Sequence, residues 1–176
     1  MPRSTVKKTV ECTLISNLSN TNTLTEISRI LRPGGICAFS TWKATGYMPD
    51  IRAAVATIPG APPFPKHDDF MTIMNRGALW HHPSYVEQQL AAHGFKDVKV
   101  EVMTSLPSID SPAAYAELFS RTTMGFMAPL IWSNEDREKY ADLVKPALLE
   151  YMTKKYGEGL RIEWEMTAIV ATGRKP

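Results

Sequence analysis

The sequence predicts an α/β fold: a sheet of about four strands, the last two antiparallel, with helices between the strands. Three features predict it. Strand-like and helix-like segments alternate through the first half of the chain, which argues for a layered architecture with a partly parallel sheet. Val98, Val100 and Val102 alternate with Lys99 and Glu101, the period of a strand buried on one face. A second long alternation fills residues 160–172, separated from the first by an antiparallel pair of helices. The two strands are therefore expected to form an antiparallel hairpin with a helical insert.

The elements follow in order. Residues 10–16 open with Val10, close with Ser16 and are rich in apolar and β-branched side chains, so they read as a strand. Thr23 and Glu26 have the spacing of a capping box, in which hydroxyl and carboxylate satisfy each other's orphan amides. Leu24, Ile27, Ile30 and Leu31 then follow helical spacing. Arg32-Pro33-Gly34-Gly35 stops that helix, because proline disfavours continuation and glycine supplies positive φ. Residues 36–42 read as a buried strand. Residues 50–58 and 68–75 suit short helices, and the three prolines within residues 60–65 exclude regular structure there. Ser84 and Glu87 repeat the capping-box spacing and open a helix that Gly94 ends. Ser111-Pro112 starts a helix with Tyr115, Leu118, Phe119 and Thr122 on one stripe. Ser133, with Asp136 three residues on, starts another. Its apolar face is Tyr140, Leu143, Val144, Ala147, Leu148, Tyr151 and Met152, and Pro146 is expected to bend it. Gly157 and Gly159 end it. In the last strand Leu160, Ile162, Trp164, Met166, Ala168 and Val170 share one side. A single domain over residues 1–176 is expected, with helical inserts at 44–82 and 111–157.

Composition narrows the function classes. At 176 residues the chain can bury one real core. Its net charge of +2 is spread along the chain, which gives no electrostatic case for nucleic acid or an anionic membrane. No apolar run approaches the ~20 residues of a membrane span, and the N-terminus has no apolar signal region. A cytoplasmic protein is expected. Cys12 and Cys37 sit in apolar, β-like runs and read as buried, reduced thiols.

At this point the residues carry a resemblance. Residues 26–35, Glu-Ile-Ser-Arg-Ile-Leu-Arg-Pro-Gly-Gly, followed by the strand at 36–42, resemble the helix and fifth strand of class I S-adenosylmethionine-dependent methyltransferases. The run Ala91-Ala92-His93-Gly94-Phe95-Lys96-Asp97-Val98 resembles the family's approach to its sixth strand, and Trp164 to Ala171 its seventh. The resemblance implies the C-terminal half of a Rossmann-like methyltransferase fold, of the small-molecule type. It also exposes a departure. The family binds its donor with a Gly-rich turn after the first strand and an acidic residue after the second. No G-x-G-x-G precedes residue 34, so no donor-binding glycine or acid is carried over and no cofactor is expected. Ser16-Asn17 resembles the residues after the fourth strand, beside the methyl group. The acceptor side remains: the inserts at 44–82 and 111–157.

Several residues there could carry chemistry. His81 or His82 is one general-base candidate, since imidazole titrates near neutral pH; the plainer role is packing or capping at the following helix start. His67, followed by Asp68-Asp69, is a second, against helix capping by either aspartate. Arg121 lies near the apolar stretch from Phe119 to Met127 and could hold an enolate or carboxylate, or face solvent. Adjacent histidines without a second ligand pair exclude a zinc site, and no metal is expected. Trp42, Tyr47, Trp80, Phe119, Met124 and Trp132 combine rigid aromatics with a flexible thioether. They suit a pocket for an apolar or aromatic small molecule, or an ordinary core.

Three functions fit these readings. The chain could be a methyltransferase-derived enzyme acting without a methyl donor, as a cyclase or isomerase. It could be part of a donor-dependent methyltransferase completed by another chain. It could be a non-catalytic binding module. The 10–16 strand would lack its neighbour from the family's sheet, so a homodimer or a second chain is expected along the edge between Val10 and Ser16.

Overall fold

The computed structural model describes residues 10–11 and 22–176. The elements are β1 (Val10–Glu11), α1 (Asn22–Ile30), β2 (Ile36–Thr45), α2 (Met48–Val55), α3 (His67–Met74), α4 (Pro83–Ala92), β3 (Lys96–Ser105) and β4 (Ser108–Ile109). There follow α5 (Pro112–Thr122), a π-helical turn (Thr123–Met127), α6 (Ala128–Ile131), α7 (Asn134–Tyr156), β5 (Ile162–Glu163) and β6 (Met166–Arg174). The main sheet has the order β1-β2-β6-β3, and β4 pairs with β5 separately.

β1 runs parallel to β2, with Val10 opposite Cys37 and Glu11 opposite Ala38. β6 is antiparallel to β2. The Gly34 amide donates to the Lys175 carbonyl at one end of the pair, and the Gly46 amide to the Glu165 carbonyl at the other. β6 is antiparallel to β3 as well, since the Thr104 and Thr167 hydroxyls meet at one end and Arg174 reaches Asp97 at the other. The α/β class, the four strands and the antiparallel last pair are as expected. Of the strand expected over residues 10–16, residues 12–16 lie outside the described residues, as do Cys12 and Asn17.

The chain divides into two compact units. The first comprises Met1–Ala44, Met74–Thr104 and Thr167–Pro176. Its core joins Leu24, Ile27 and Leu31 of α1 and its end, Cys37 and Phe39 of β2, Val86 and Leu90 of α4, and Ile169 and Ala171 of β6. Burying each large aliphatic side chain contributes about 1.5–3 kcal/mol. Lys175 fastens the C-terminal end by donating to the carbonyls of Ser28 and Leu31, which α1 leaves unpaired. Gly173 is required because an added Cβ would lie 2.9 Å from Phe95 Cβ.

The second unit comprises Thr45–Ile73 and Ser105–Met166. Here α7 packs its Tyr140, Val144, Ala147, Leu148 and Met152 inward, alongside α2 and α5. Ser111 and Ser133 cap α5 and α7 as expected, each hydroxyl accepting from an amide three residues on. The Pro-rich loop after α2 has no ladder, yet its carbonyls are taken in alternation. Tyr140 Oη donates to Gly60, Trp132 Nε1 to Pro62 and Arg52 Nε to Phe64. Among the described residues no helix is long and apolar enough to cross a membrane.

Several local expectations need correction. α1 begins at Asn22, so Thr23 lies inside it, and Glu26 pairs with Arg29 at 2.8 Å rather than closing a capping box. α4 begins one residue before Ser84, because Pro83 with its preset φ takes the first helical position. Ile30, Leu118 and Leu143 are exposed at the margins of their apolar stripes. The final alternation is two strands, not one: residues 162–163 pair with β4 and residues 166–174 enter the main sheet. In β6 the buried set is Thr167, Ile169, Ala171 and Gly173, opposite in phase to the expected one. The π-helical turn between α5 and α6 carried no sequence signal.

Candidate functional site

The second unit gathers aromatic rings at one place. Tyr47, which caps α2, stacks on Phe119 of α5 with ring centroids 4.7 Å apart and planes tilted 34°. Tyr115, one helical turn before Phe119, lies 4.3 Å from it. Trp164, in the bend between β5 and β6, meets both edge-on, at 5.9 Å from Tyr115 and 5.4 Å from Phe119. Tyr115 and Phe119 are buried, whereas Tyr47 and Trp164 are half-buried and give the cluster its accessible rings. Gly46 lets the chain enter this cluster. Its amide donates to the Glu165 carbonyl at 2.8 Å, and an added Cβ would sit 2.3 Å from that oxygen.

Polar groups lie behind the rings. Tyr115 Oη donates to the Tyr47 carbonyl at 3.2 Å. Burial, aided by the nearby Asp50 carboxylate, pushes the Tyr115 hydroxyl far above the ordinary tyrosine range. Burial also raises Tyr47, and a bond with Thr45 only partly offsets it. Both phenols therefore stay neutral at physiological pH. Asp50 is buried at 5% exposure, with Lys155 Nζ at 2.5 Å and Tyr156 Oη at 3.2 Å. Burial acts to lower the Lys155 pKa, but its bonds to Asp50 and Tyr156 outweigh this and lift it above the usual lysine value.

The sequence candidates fall in different places. Of the six proposed binding residues, Tyr47 and Phe119 meet in the ring cluster. Trp132 belongs to a second group in the same unit, 5.2 Å from Phe64 and 6.1 Å from Tyr140. Met124 is half-buried in the π-helical turn. Trp80 is part of the first unit's core, edge-on to Phe39 and Tyr85, and Trp42 is half-buried on β2. Asp50, Tyr115, Lys155, Tyr156 and Trp164 were missed. Only the aromatic character of three of them signalled the cluster, and nothing in the sequence spacing joins Asp50 to Lys155.

The acid–base candidates are differently engaged. His67 Nε2 accepts the Thr45 amide at 3.2 Å, so Nδ1 carries the proton and donates to Asp68 Oδ1 at 3.1 Å. Both ring nitrogens are thereby committed. A solvent-open recess of about 390 Å³ lies here, lined by Lys66, His67, Asp68 and Asp69. His81 is buried at 4% exposure in the first unit, its ring 4.2 Å from that of exposed His82. Arg121 faces solvent and pairs with Glu117 at 2.5 Å. The Glu117 carboxyl is held below its usual range by Lys145 first and Arg121 second.

The described residues do not fit S-adenosylmethionine. A donor cradle needs glycines whose missing side chains leave room for the ligand. At Gly35, Gly46 and Gly173 the space is filled by the protein itself, and the glycines with open surroundings stand singly. Among the described residues no group of three or more His, Cys, Asp or Glu could hold a metal ion.

No known protein-family model matches the chain. Its curated relatives are methyltransferases. Methyltransferase tpcH of Aspergillus fumigatus is 31% identical over 156 residues, covering 87% of this chain and 53% of the relative. Acetylaranotin bis-thiomethyltransferase of Aspergillus terreus is 32% identical over 155 residues, 86% of this chain and 54% of its own. Methyltransferase ktnA of Aspergillus niger is 30% identical over 152 residues, 86% and 48%. The chain thus spans about half the length of the curated relatives it matches. A solved phosphoethanolamine N-methyltransferase 2 from Haemonchus contortus aligns with 94% of this chain and 33% of its own at 13% identity and a TM-score of 0.37. At that depth the likeness bears on neither fold nor activity.

Proposed function

We propose that these residues form the acceptor-binding part of an S-adenosylmethionine-dependent small-molecule methyltransferase, with the donor held by residues outside the described ones. The observation that carries this reading is the ring cluster of Tyr47, Tyr115, Phe119 and Trp164. Rigid rings give a small apolar or aromatic acceptor a large contact area at little entropic cost. Tyr115, neutral and tied to the Tyr47 carbonyl, fixes the wall behind the ligand. The relatives' names support methyl transfer, and one of them is named for acetylaranotin bis-thiomethylation. A donor-independent cyclase or isomerase would draw on the same cluster, but no relative's name supports it. With His67 committed at both nitrogens and Arg121 in solvent, neither is assigned an acid–base role. The second chain or second copy expected at the 10–16 edge remains part of this reading as one route to a donor site.

Calorimetric titration of the 176-residue chain tests the proposal. S-Adenosylmethionine should give no saturable heat up to about 1 mM, while 1-naphthol, as an aromatic acceptor surrogate, should bind. Trp164→Ala should weaken the naphthol about tenfold, equivalent to about 1.4 kcal/mol, with unchanged circular dichroism. Low-micromolar binding of S-adenosylmethionine would overturn the division of labour. Naphthol binding indifferent to Trp164 would overturn the site.

A further inference from the structure

We propose that the chain self-associates through the outer edge of β3, forming an antiparallel pair of edges about a two-fold axis at Val100. β3 ends the sheet order, and among the described residues no strand lies beyond it. Its free edge is ten residues long and presents unpaired amide and carbonyl groups, the template to which another strand adds. Charges usually keep such edges apart. Here their order does the opposite.

A two-fold axis at Val100 sets residue 99 of one copy against residue 101 of the other. Lys99 then faces Glu101 twice, once on each side of the axis, and both are exposed in the single chain. On the other face Val100 meets Val100 and each Val98 meets Val102. Val98 and Val100 already pack against the first unit's core, while Val102 is left 48% exposed. Self-pairing therefore extends the core's valine row and covers its uncovered end. Opposite charges and β-branched pairs directly across an antiparallel ladder are each favourable, and like charges there are unfavourable. A two-fold contact repeats the Lys99–Glu101 and Val98–Val102 pairs on both sides of the axis. The other centre that would pair opposite charges, at Val98, requires Asp97. That residue is held by Arg174 and has a φ of 50°, outside the extended range a ladder needs. The charge pattern thus selects one register. This edge lies at the opposite end of the sheet from β1.

Sedimentation equilibrium on the 176-residue chain tests this with charge exchanges at exposed positions, which leave the core untouched. The wild type should form dimers with a Kd of about 10–100 µM. Lys99→Glu and Glu101→Lys should each turn both cross-strand pairs repulsive and raise that Kd at least about tenfold. The double variant K99E/E101K should restore it. A wild type monomeric at about 100 µM, single variants that dimerise as well as wild type, or a double variant that stays monomeric would each overturn the proposal.

Discussion

In the first unit, Leu24, Ile27, Val86, Leu90 and Ile169 meet over one face of the sheet, and shape alone orders them. In the second, rings with polar tips do much of the ordering. Tyr115, Trp132 and Tyr140 each bury a ring and donate to a backbone carbonyl 68 to 80 residues away in sequence. The difference teaches how an irregular segment can be held without a ladder. An aliphatic core suits a sheet whose backbone groups are already paired. The Pro-rich loop has no such pairing, so side chains must satisfy its carbonyls. The same ring chemistry that orders the loop also offers a small molecule rigid faces.

The comparison can be broken at several points. The largest effect is expected in the aliphatic core. Leu90→Ala removes a fully buried side chain and should cost about 3–5 kcal/mol in urea unfolding, whereas Leu143→Ala, at 47% exposure, should cost no more than about 0.5 kcal/mol. Equal costs would mean that the aliphatic packing is misassigned. Next comes Gly46→Ala, whose methyl would strike the Glu165 carbonyl. A loss of about 2–4 kcal/mol is expected, with weaker naphthol binding, since that contact positions Tyr47 and Trp164. Retained stability would show that the approach of these backbones can relax.

Tyr140→Phe and Trp132→Phe sharpen the second half of the comparison. Each leaves a loop carbonyl without its donor and should cost about 1–3 kcal/mol, with faster proteolysis near residues 59–65. No change in proteolysis would separate these bonds from loop order.

The smallest effect at neutral pH is electrostatic. Tyr47 and Tyr115 have folded pKa values above their unfolded values near about 10, so the stability they contribute is complete below about pH 10 and is lost as pH rises through the folded pKa. Their phenolate absorbance near 295 nm should therefore appear only with alkaline unfolding followed by circular dichroism. Reversible titration of all six tyrosines near pH 10, with the fold intact, would contradict their burial.

The first unit was largely legible because periodicity reports burial directly: Leu24 and Ile27 on α1, Leu31 just after it, and Val98 and Val100 on β3 lie where their spacing places them. The phase of β6 was not. Residues 162–163 pair with β4 while 166–174 enter the main sheet, and no residue between them announces the change of partner. The ring cluster was half legible. Tyr47 and Phe119 stood out as aromatics within the inserts, but Trp164 reads as one more member of a strand face until the chain bends. Asp50 and Lys155 are 105 residues apart, and only the packing of α2 alongside α7 brings them together.

The most direct test of the acceptor site is a ¹H–¹⁵N correlation titration of the whole chain with 1-naphthol. The account predicts saturable shifts at the amides of Tyr47, Tyr115 and Phe119 and at the Trp164 indole, with the amides of Leu24, Ile27 and Leu31 unmoved. Shifts confined to the first unit, or none at all, would contradict it.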